Sequence, residues 1–439
     1  MFKETSKELL DFLSKSPTAF HAVENYRQIL NADGFKELLE SEHWDIVPGG
    51  KYYVTRNNTS ILAFKVGTKL DNYSFNIVTS HTDSTTFKVK ENAEIEVKNK
   101  YTQLNTEGYG GMLCATWLDR PLSIAGRVLV SEGNSIVTKL LNIDRDLLMI
   151  PNVAIHMNRA ANDGFKYNLQ VDMLPLLSGG DDRQKDFKQI IADELGVKKE
   201  DILGHDLYLY NRMAPSIWGA NEEFISSGHL DDLQCGFASL KALLAGYNDE
   251  SIDIMACFDN EEVGSGTKQG ADSTLLRDTL IRINNALGKT EEDYHRALAS
   301  SFMLSADNAH AVHPNHPEHT DVTNCTYMNE GVVVKSHAGQ KYTSDGVSMA
   351  VVKSLASGAD VPLQYFANRS DKAGGSTLGN IAMAQASMNA VDIGLPQLAM
   401  HSSYETAGIK DTYYAISLMK ALFDSHIQET STHSLEIKR

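Results

Sequence analysis

An apolar run that ends abruptly in two glutamates constrains the fold of this chain more than any other feature. Residues 251–256 have the pattern of a buried strand, and the sequence CFDNEEVGSG at Cys257–Gly266 then ends in glycines that permit a sharp turn. In an open α/β sheet, ligands bind where strands emerge in this way. Neighbouring residues of an extended chain project to opposite sides, so one of Glu261 and Glu262 can bind a metal while the other acts as a base. For this stretch alone, a solvated acidic turn is the commoner explanation.

Other predicted strands are also followed directly by imidazole or carboxylate side chains. Phe75–Ser80, Phe302–Ala306 and Leu398–Met400 are strands of this kind, and an acidic pair after Phe224 directly precedes a helix. The polar residues are His81 with Asp83, Asp231, Glu261 with Glu262, Asp307 and His401. Each is weak evidence alone, because a His-x-Asp triplet is common by chance and acids at a helix start can be caps.

Together these residues supply the ligands that a dinuclear metal centre needs. They comprise two imidazoles and several carboxylates, expected at one edge of one sheet, with no thiolate. That set suits zinc or a similar divalent metal. Two ions about 3.5–4 Å apart need one bridging carboxylate and at least two further ligands each. The set provides that number and leaves one glutamate for acid–base chemistry.

The composition favours a cytoplasmic protein and excludes several other classes. The formal net charge of −17 opposes binding to nucleic acid or to an anionic membrane surface. No apolar run approaches the roughly 20 residues that span a bilayer, and the N-terminus lacks the pattern of a signal peptide. The four cysteines form no C-x-x-C pair, as expected of reduced thiols in the cytosol.

The pattern of elements divides the chain into three segments. Its 439 residues favour two domains over one. Helical and strand patterns fill residues 1–86, residues 87–224 are β-rich, and strands alternate with helices again over residues 225–439. This predicts an α/β domain in two parts with a β-rich insert between them. Within the insert, a strand is predicted for the stretch around His156, and residues 426–439 are predicted to be a frayed tail.

A histidine tract, HAVHPNHPEH, is a further cluster of candidate ligands. Its histidines recur every three residues: His310, His313, His316 and His319. Pro314 and Pro317 break any helix that would align them on one face, so the tract is predicted to be a polar loop and not a separate metal-binding segment. His310 remains a candidate site residue because it lies only three residues beyond Asp307.

Seven ordered motifs resemble those of the aspartyl aminopeptidase family, within the wider group of cocatalytic dinuclear metallo-exopeptidases. They extend over nearly the whole chain and are SHTDS, the LDDL segment at Leu230–Leu233, DNEEVGS, SADNAHAVHPN, GQKYTSDGV, GGSTLGN and PQLAMHS. The resemblance implies a mixed-sheet α/β/α dinuclear metallopeptidase domain with an inserted β-rich dimerisation domain.

The resemblance also implies roles for individual residues. His81 and Asp307 match the ligands of one metal, Glu262 and His401 those of the other, Asp231 the bridging carboxylate, Glu261 the general base and Asp83 the acid behind the first imidazole. His156, which sequence alone would assign to packing, matches a histidine that reaches across a dimer interface into the partner's active site. His310, Lys335 and Tyr342 match residues that contact the substrate.

The implied activity is hydrolysis of the N-terminal residue of short peptides, with a preference for Asp or Glu. The resemblance implies two divalent ions per subunit, expected to be Zn²⁺, with Co²⁺ or Mn²⁺ as alternatives. Glu261 would take a proton from the attacking water, and His156 would help to stabilise the oxyanion. Lys335 would pair with the acidic side chain of the substrate. The implied assembly is a homo-oligomer, a hollow dodecamer built from dimers.

The chain departs from the family pattern at two positions, and two functions compete with the implied one. Asp232 stands where the family commonly has Asn, and Lys341 where Arg is usual, which affects the expected substrate preference and metal affinity. A broader metallo-aminopeptidase or deacylase could use the same site without requiring an acidic first residue. A non-catalytic peptide-binding shell would be expected to have lost a ligand or the base, and this chain keeps them all.

Overall fold

A mixed sheet of nine strands forms the centre of the molecule. The structure is a computed structural model and describes residues 1–180 and 186–439. Within these residues the helices are α1 (Phe2–Ser14), α2 (Ala19–Ala32), α3 (Phe187–Leu195), α4 (Leu230–Ala245), α5 (Leu275–Ala286), α6 (Glu291–Ala299), α7 (Gly346–Gly358), α8 (Leu378–Gln385) and α9 (Asp411–Phe423).

Over residues 1–180 and 186–439 the strands fall into four sheets. In chain order they are β1 (Lys36–Leu38), β2 (Lys51–Arg56), β3 (Ser60–Val66), β4 (Ser74–His81), β5 (Thr86–Val97), β6 (Tyr101–Tyr109), β7 (Leu122–Glu132), β8 (Ser135–Asn142), β9 (Leu176–Gly179), β10 (Ile202–Asn211), β11 (Ser216–Trp218), β12 (Phe224–Ser227), β13 (Ser251–Phe258), β14 (Phe302–Ala306), β15 (Ala309–His310), β16 (Val332–Lys335), β17 (Leu363–Phe366), β18 (Asn389–Gly394), β19 (Pro396–Leu398), β20 (Glu405–Gly408), β21 (His426–Ser431) and β22 (Ser434–Lys438).

The central sheet has the order β1-β2-β3-β13-β4-β14-β18-β16-β17. Its middle strands β13, β4, β14 and β18 are parallel, so their carboxyl ends meet at one edge. Every residue of β4, β13 and β14 is buried, as expected of parallel strands that helices cover on both faces. One apolar core joins the sheet to α1, α2, α4, α7 and α9, and a second joins its other face to α5, α6 and α8. The α/β/α architecture predicted for this domain is confirmed.

The β-rich segment forms a separate antiparallel sheet, in the order β8-β7-β10-β5-β6-β9. This sheet has an apolar core separate from those of the central sheet, in which the ring centres of Phe87 and Trp117 lie 5.3 Å apart in edge-to-face contact. Helix α3 packs against the sheet through Phe187. A small sheet, β11-β12-β20-β19-β15, pairs the end of this segment with the last part of the chain. We keep residues 87–224 as the proposed extent of the insert.

Three local expectations are wrong. Residues 153–157 form no strand; Met157 donates its N–H to Ala154 in a turn, and its side chain, like that of His156, lies exposed. The C-terminal residues are not a frayed tail but the β21–β22 hairpin, which packs onto the main core through Ile427. The sequence also predicts Ser16 as the N-cap of α2, with Pro17 in its first turn, but that helix begins at Ala19, after Thr18.

Two further observations concern the cysteines and the helices. All four cysteines are free thiols, two of them buried. Over residues 1–180 and 186–439, none of the helices has the length and apolar character needed to cross a bilayer.

Candidate metal centre

Three of the predicted ligands are brought together by the parallel strands of the central sheet. His81 is the last residue of β4 and pairs in register with Phe258, the last residue of β13. Glu262 lies in the short 3₁₀ turn just beyond β13, and Asp307 directly follows β14. Because these strands are parallel neighbours, their carboxyl ends place the three side chains at one edge of the sheet.

Two more ligands reach the same edge from the small sheet. Asp231 is formally within α4 but has extended backbone angles, φ −84° and ψ 106°, which direct it away from the helix. His401 lies between β19 and β20 with φ 66°, in the left-handed region that non-glycine residues seldom adopt. The antiparallel pairing of β12 with β20 brings their two segments side by side.

The five side chains form two triads that share Asp231. One is His81, Asp231 and Asp307, the other Asp231, Glu262 and His401, and within each triad the ligand atoms lie within 4.8 Å of one another. Asp231 Oδ1 is 3.5 Å from His81 Nε2, and Asp231 Oδ2 is 3.6 Å from His401 Nε2. His401 Nε2 is 3.3 Å from Glu262 Oε2. Each oxygen of the shared carboxylate therefore faces a different imidazole.

These spacings fit zinc. Two ligand atoms about 2.0–2.2 Å from one tetrahedral zinc lie roughly 3.3–3.6 Å apart. The buried Oδ1 of Asp231 accepts no hydrogen bond within the described residues, an arrangement that is costly unless a cation is bound there. The donor set, imidazole nitrogen and carboxylate oxygen, is one that zinc prefers.

The two imidazoles are oriented by backbone carbonyls. His81 Nδ1 lies 3.0 Å from the carbonyl oxygen of Asp83, and His401 Nδ1 lies 3.0 Å from that of Gly111. A carbonyl oxygen only accepts, so each Nδ1 carries the proton. Each Nε2 then keeps its lone pair for a metal, which is the usual way a ligating histidine is held.

Asp83 connects the two loops that carry the site. Its Oδ1 accepts the N–H of Glu261 at 3.2 Å, and its Oδ2 accepts the N–H of Glu262 at 3.2 Å and the hydroxyl of Tyr109 at 2.7 Å. Asp83 Oδ1 is also 3.4 Å from His81 Nδ1. One buried carboxylate thus fixes both the glutamate turn and the first imidazole.

Glu261 belongs to neither triad. Burial raises the pKa of its carboxyl to about 8; His81 lowers that pKa, and the neighbouring carboxylates, Asp307 first among them, raise it further. A bound pair of cations would counteract these carboxylates and favour the ionised form. In that ionised form its side chain could accept a proton.

Glu405 is a site residue that the sequence did not reveal. Its Oε2 accepts the N–H of Asp231 at 3.0 Å, and its Oε1 accepts the N–H of His401 at 2.8 Å and lies 3.3 Å from Gln397 Nε2. Glu405 is buried, and burial raises its pKa to about 8. The only sequence signal is a glutamate four residues after His401, a pattern too common to be informative.

Lys335 lies buried beside the first triad. Its Nζ is 3.6 Å from Asp307 Oδ2, donates to the carbonyl oxygen of Asn308 at 3.0 Å and lies 5.6 Å from the centre of the Tyr342 ring. Burial lowers the pKa of Lys335, but the combined attraction of Asp307 and the other acidic groups nearby exceeds the effect of burial and raises the pKa on balance. This ammonium group therefore stays charged.

His310 and His156 differ in position. His310, in β15, lines a cavity of about 260 Å³ together with Phe366, whose ring centre is 6.1 Å from its own. His156 lies exposed in a turn, and within the described part of the chain no hydrogen bond or ion pair joins it to the metal centre. The structure of a single chain thus places His310 near the site and leaves His156 apart.

The two departures from the family pattern have local explanations. Asp232 is buried and its Oδ2 accepts the N–H of His81 at 3.1 Å; burial raises the pKa of Asp232 well above the ordinary value. A neutral carboxyl has the shape and polarity of the asparagine side chain it replaces. Lys341 Nζ donates to the carbonyl oxygen of Gly374 at 2.6 Å, where it tethers the GGSTLGN loop.

Comparison with known proteins agrees with this geometry. The family described as aminopeptidase I zinc metalloprotease (M18) matches residues 12–423. The probable M18 family aminopeptidase 2 of Clostridium novyi (strain NT) is 48% identical over 425 residues, which make up 95% of this chain and 98% of that protein.

Solved structures share the fold over nearly the whole chain. A chain of the cryo-EM structure of the Ape4 and Nbr1 complex is 35% identical, with a TM-score of 0.93 over 96% of this chain and 86% of that one. The S. cerevisiae mApe1 dodecamer is 28% identical, with a TM-score of 0.84 over 96% of this chain and 97% of that one. The chain therefore belongs to the M18 family of zinc metallo-aminopeptidases.

Proposed function

We propose that this aminopeptidase removes N-terminal Asp or Glu from peptides at a centre of two divalent ions, with Glu261 as the general base. One observation carries the proposal: two ligand triads share a single carboxylate, Asp231, and Glu261 stands beside them without belonging to either. A site for one ion would need only one triad. The spare glutamate is what acid–base chemistry requires.

Each side chain has a defined task in this reaction. Two zinc ions bound at the triads would lower the pKa of the attacking water and polarise the scissile carbonyl. Glu261 accepts the proton of that water and returns it to the leaving amine, which is the role of a carboxylate close to the ligands but not among them. Asp83 accepts the N–H of Glu261 and so fixes the turn that positions this base.

The proposed acidic preference rests on the charge next to the first triad. Lys335 is buried and charged, and a carboxylate brought beside it in that low dielectric would form a strong charge-assisted pair. The centre of the Tyr342 ring lies 5.6 Å from Lys335 Nζ, and burial and the nearby charge of Lys335 both lower the pKa of His310. The charge of Lys335 would have to overcome the long-range repulsion from a net charge of −17.

The base is tested by Glu261→Gln. Because glutamine keeps the shape but cannot accept a proton, we expect kcat to fall by about 10²–10⁴-fold while both metal ions stay bound. Metal content by mass spectrometry and single-turnover kinetics measure the two effects separately. Near-normal turnover in a fully loaded variant would exclude Glu261 as the base.

The substrate preference is tested on the metal-loaded enzyme with peptides that begin with Asp, Glu, Leu or Lys. We expect kcat/KM to be highest for the acidic peptides and to fall for these alone in Lys335→Met. A preference for Leu would overturn the acidic specificity and support a broader aminopeptidase, and cleavage of N-acylated substrates would support a deacylase.

We also propose that the chain assembles through the segment that carries His156. The exposed apolar side chains of this segment are concentrated around that histidine: Val153, Ile155, Met157, Phe165 and Val171. Exposed apolar clusters of this kind are typical of protein interfaces. A dodecamer built from dimers would bury them and bring His156 into a neighbouring active site, and the related S. cerevisiae mApe1 is itself a dodecamer.

A further inference from the structure

The histidine tract at residues 313–319 consists of two consecutive turns. The N–H of His316 donates to the carbonyl of His313 at 3.0 Å, and the N–H of His319 donates to that of His316 at 3.1 Å. Pro314 and Pro317 each occupy the second position of a turn, where the fixed φ of proline fits and no N–H is needed. The prolines exclude an α-helix, as expected, but they favour these turns.

This turn geometry aligns the histidines. Side chains three residues apart eclipse one another when each turn contains three residues. The rings of His313 and His316 are 5.4 Å apart at 36°, and those of His316 and His319 are 5.3 Å apart and stacked at 20°. The sequence-based expectation that the prolines keep these imidazoles off one common face is therefore wrong.

A carboxylate completes the cluster. Glu318 Oε1 is 3.1 Å from His316 Nδ1, and one ligand atom each from His316, Glu318 and His319 lie within 4.8 Å of one another. His313 is not part of this set, and its Nδ1 accepts the N–H of Asn315 at 3.2 Å. Two imidazoles and one carboxylate form a donor set that suits zinc, copper, nickel or cobalt.

The cluster is held in place before any ligand arrives. Arg369 Nη1 donates to the carbonyl of Glu318, and Thr320 Oγ1 donates to that of Pro317 at 2.8 Å. The guanidinium of Arg369 is itself neutralised by Asp371 through two contacts of 2.8 Å. Because these contacts already hold the turns that carry the ligands, little conformational entropy is lost when a cation binds.

The cluster is open to solvent and adjoins the cavity that His310 lines. The side chains of His316 and Glu318 are 57% and 59% exposed, so an ion can enter directly. His319 lines the same 260 Å³ cavity as His310, which follows the ligand Asp307 by three residues. An ion bound by His319 would lie beside this cavity.

We propose that His316, Glu318 and His319 bind a further divalent transition-metal ion, separate from the two catalytic triads. None of its three ligands belongs to those triads. The site goes beyond the proposed function and does not depend on it.

The test is equilibrium dialysis of the metal-loaded enzyme against micromolar Zn²⁺, with zinc counted per chain by mass spectrometry. The variant is the double substitution His316→Gln with His319→Gln, on exposed side chains. The matched control is His295→Gln, which removes an exposed histidine whose Nε2 lies 3.8 Å from a single carboxylate, Glu291. We expect the double variant to bind one zinc ion fewer than the wild type and the control to bind as many.

Affinity provides a second measurement. In a calorimetric titration with Zn²⁺, we expect Glu318→Gln to weaken the extra site by roughly 10–100-fold. Equal zinc content in the wild type and the double variant would overturn the proposal, and so would an equal loss in His295→Gln. Because only a difference between variants is counted, the result is the same whether the catalytic centre holds two ions or one.

Discussion

Glu405 shows how a residue that binds no metal can control where the ligands stand. Its two oxygens accept the backbone N–H groups of Asp231 and His401, one each. These ligands come from different loops, and the backbone of His401 lies in the disfavoured left-handed region. The carboxylate therefore sets the distance between the bridging ligand and an imidazole of the second triad.

The first prediction is that Glu405→Gln loosens the second triad. Glutamine offers one acceptor and one donor, so one of the two N–H groups loses its partner. We expect the affinity for the second metal ion to fall by about 10–100-fold, with kcat recovering when metal is added in excess. Metal titration of activity measures this, and it distinguishes a positioning residue from one needed in the chemical step. A variant that retains wild-type metal affinity would contradict this role.

The second prediction concerns Asp253, which lies near the start of β13, far along that strand from the glutamate turn. Burial raises the pKa of Asp253 in the folded chain to about 8; hydrogen bonds from Asn76 and Ser251 lower it only in part. The unfolded chain titrates near the ordinary value of about 3.9. Between these two pH values the folded state binds the extra proton, so stability falls as pH rises.

We therefore expect Asp253→Asn to be more stable than the wild type at pH 7–8 by on the order of a few kcal/mol. The advantage should vanish below about pH 4, where both states are protonated. Urea unfolding at several pH values measures it. The control is Asp45→Asn, on a side chain that is 97% exposed. Identical pH profiles for Asp253→Asn and the wild type would rule out the buried proton.

At the scale of single elements, α6 begins with a capping box that can be tested alone. Thr290 Oγ1 accepts the N–H of Asp293 at 3.2 Å, and Asp293 Oδ2 accepts the N–H of Thr290 at 2.9 Å. We expect Thr290→Ala to lower the free energy of unfolding by about 1 kcal/mol and to leave activity unchanged. Chemical denaturation measures the loss, and Thr290→Ser should restore most of it. An unaltered midpoint for the alanine variant would contradict the capping role.

Elements with a strong apolar pattern could be predicted closely from the sequence. The bounds expected for β14, Phe302–Ala306, are those observed, because this strand is a mostly apolar run that is buried along its whole length. Around Val153 the apolar residues face solvent in the isolated chain, so they mimic a strand without forming one. The sequence does not predict the β21–β22 hairpin because just two of its residues, His426 and Ile427, are buried and the rest of its sequence is mostly polar.

The candidate site likewise contains residues that the sequence could predict and groups that it could not. Its five ligands follow predicted strands or precede a predicted helix, so sequence position alone placed them together. The groups that orient them were not predictable, because the carbonyls of Asp83 and Gly111 and the N–H groups bound by Glu405 belong to the backbone. Backbone atoms are the same in every residue, and only the folded structure shows which of them face a ligand.

At the scale of the whole molecule, the exposed apolar segment around His156 predicts a dependence of activity on assembly. Met157, with 82% of its surface exposed, is the most accessible of these side chains. We expect Met157→Lys to reduce the oligomer to smaller species and to lower kcat, because a buried unpaired lysine opposes association. Light scattering after size exclusion measures the mass of each species.

Val322→Lys is the matched control, since that side chain is 92% exposed and lies outside the β-rich segment. It should leave both mass and kcat unchanged. If Met157→Lys retained the wild-type mass, the proposed interface would lie elsewhere on the molecule.

The contact between the Gly111 carbonyl and His401 determines whether the β-rich segment can be replaced by another. Gly111 and Tyr109 belong to the β-rich segment, yet one orients His401 and the other holds Asp83, which in turn faces His81. The N–H of Leu113 also donates to the carbonyl of His401 at 2.9 Å. The segment is thus not an appendage that could be excised or exchanged for a foreign one. A chimera with a substituted insert would remove the carbonyl that orients His401 and the hydroxyl that holds Asp83, so the β-rich segment and the rest of the chain can change only together.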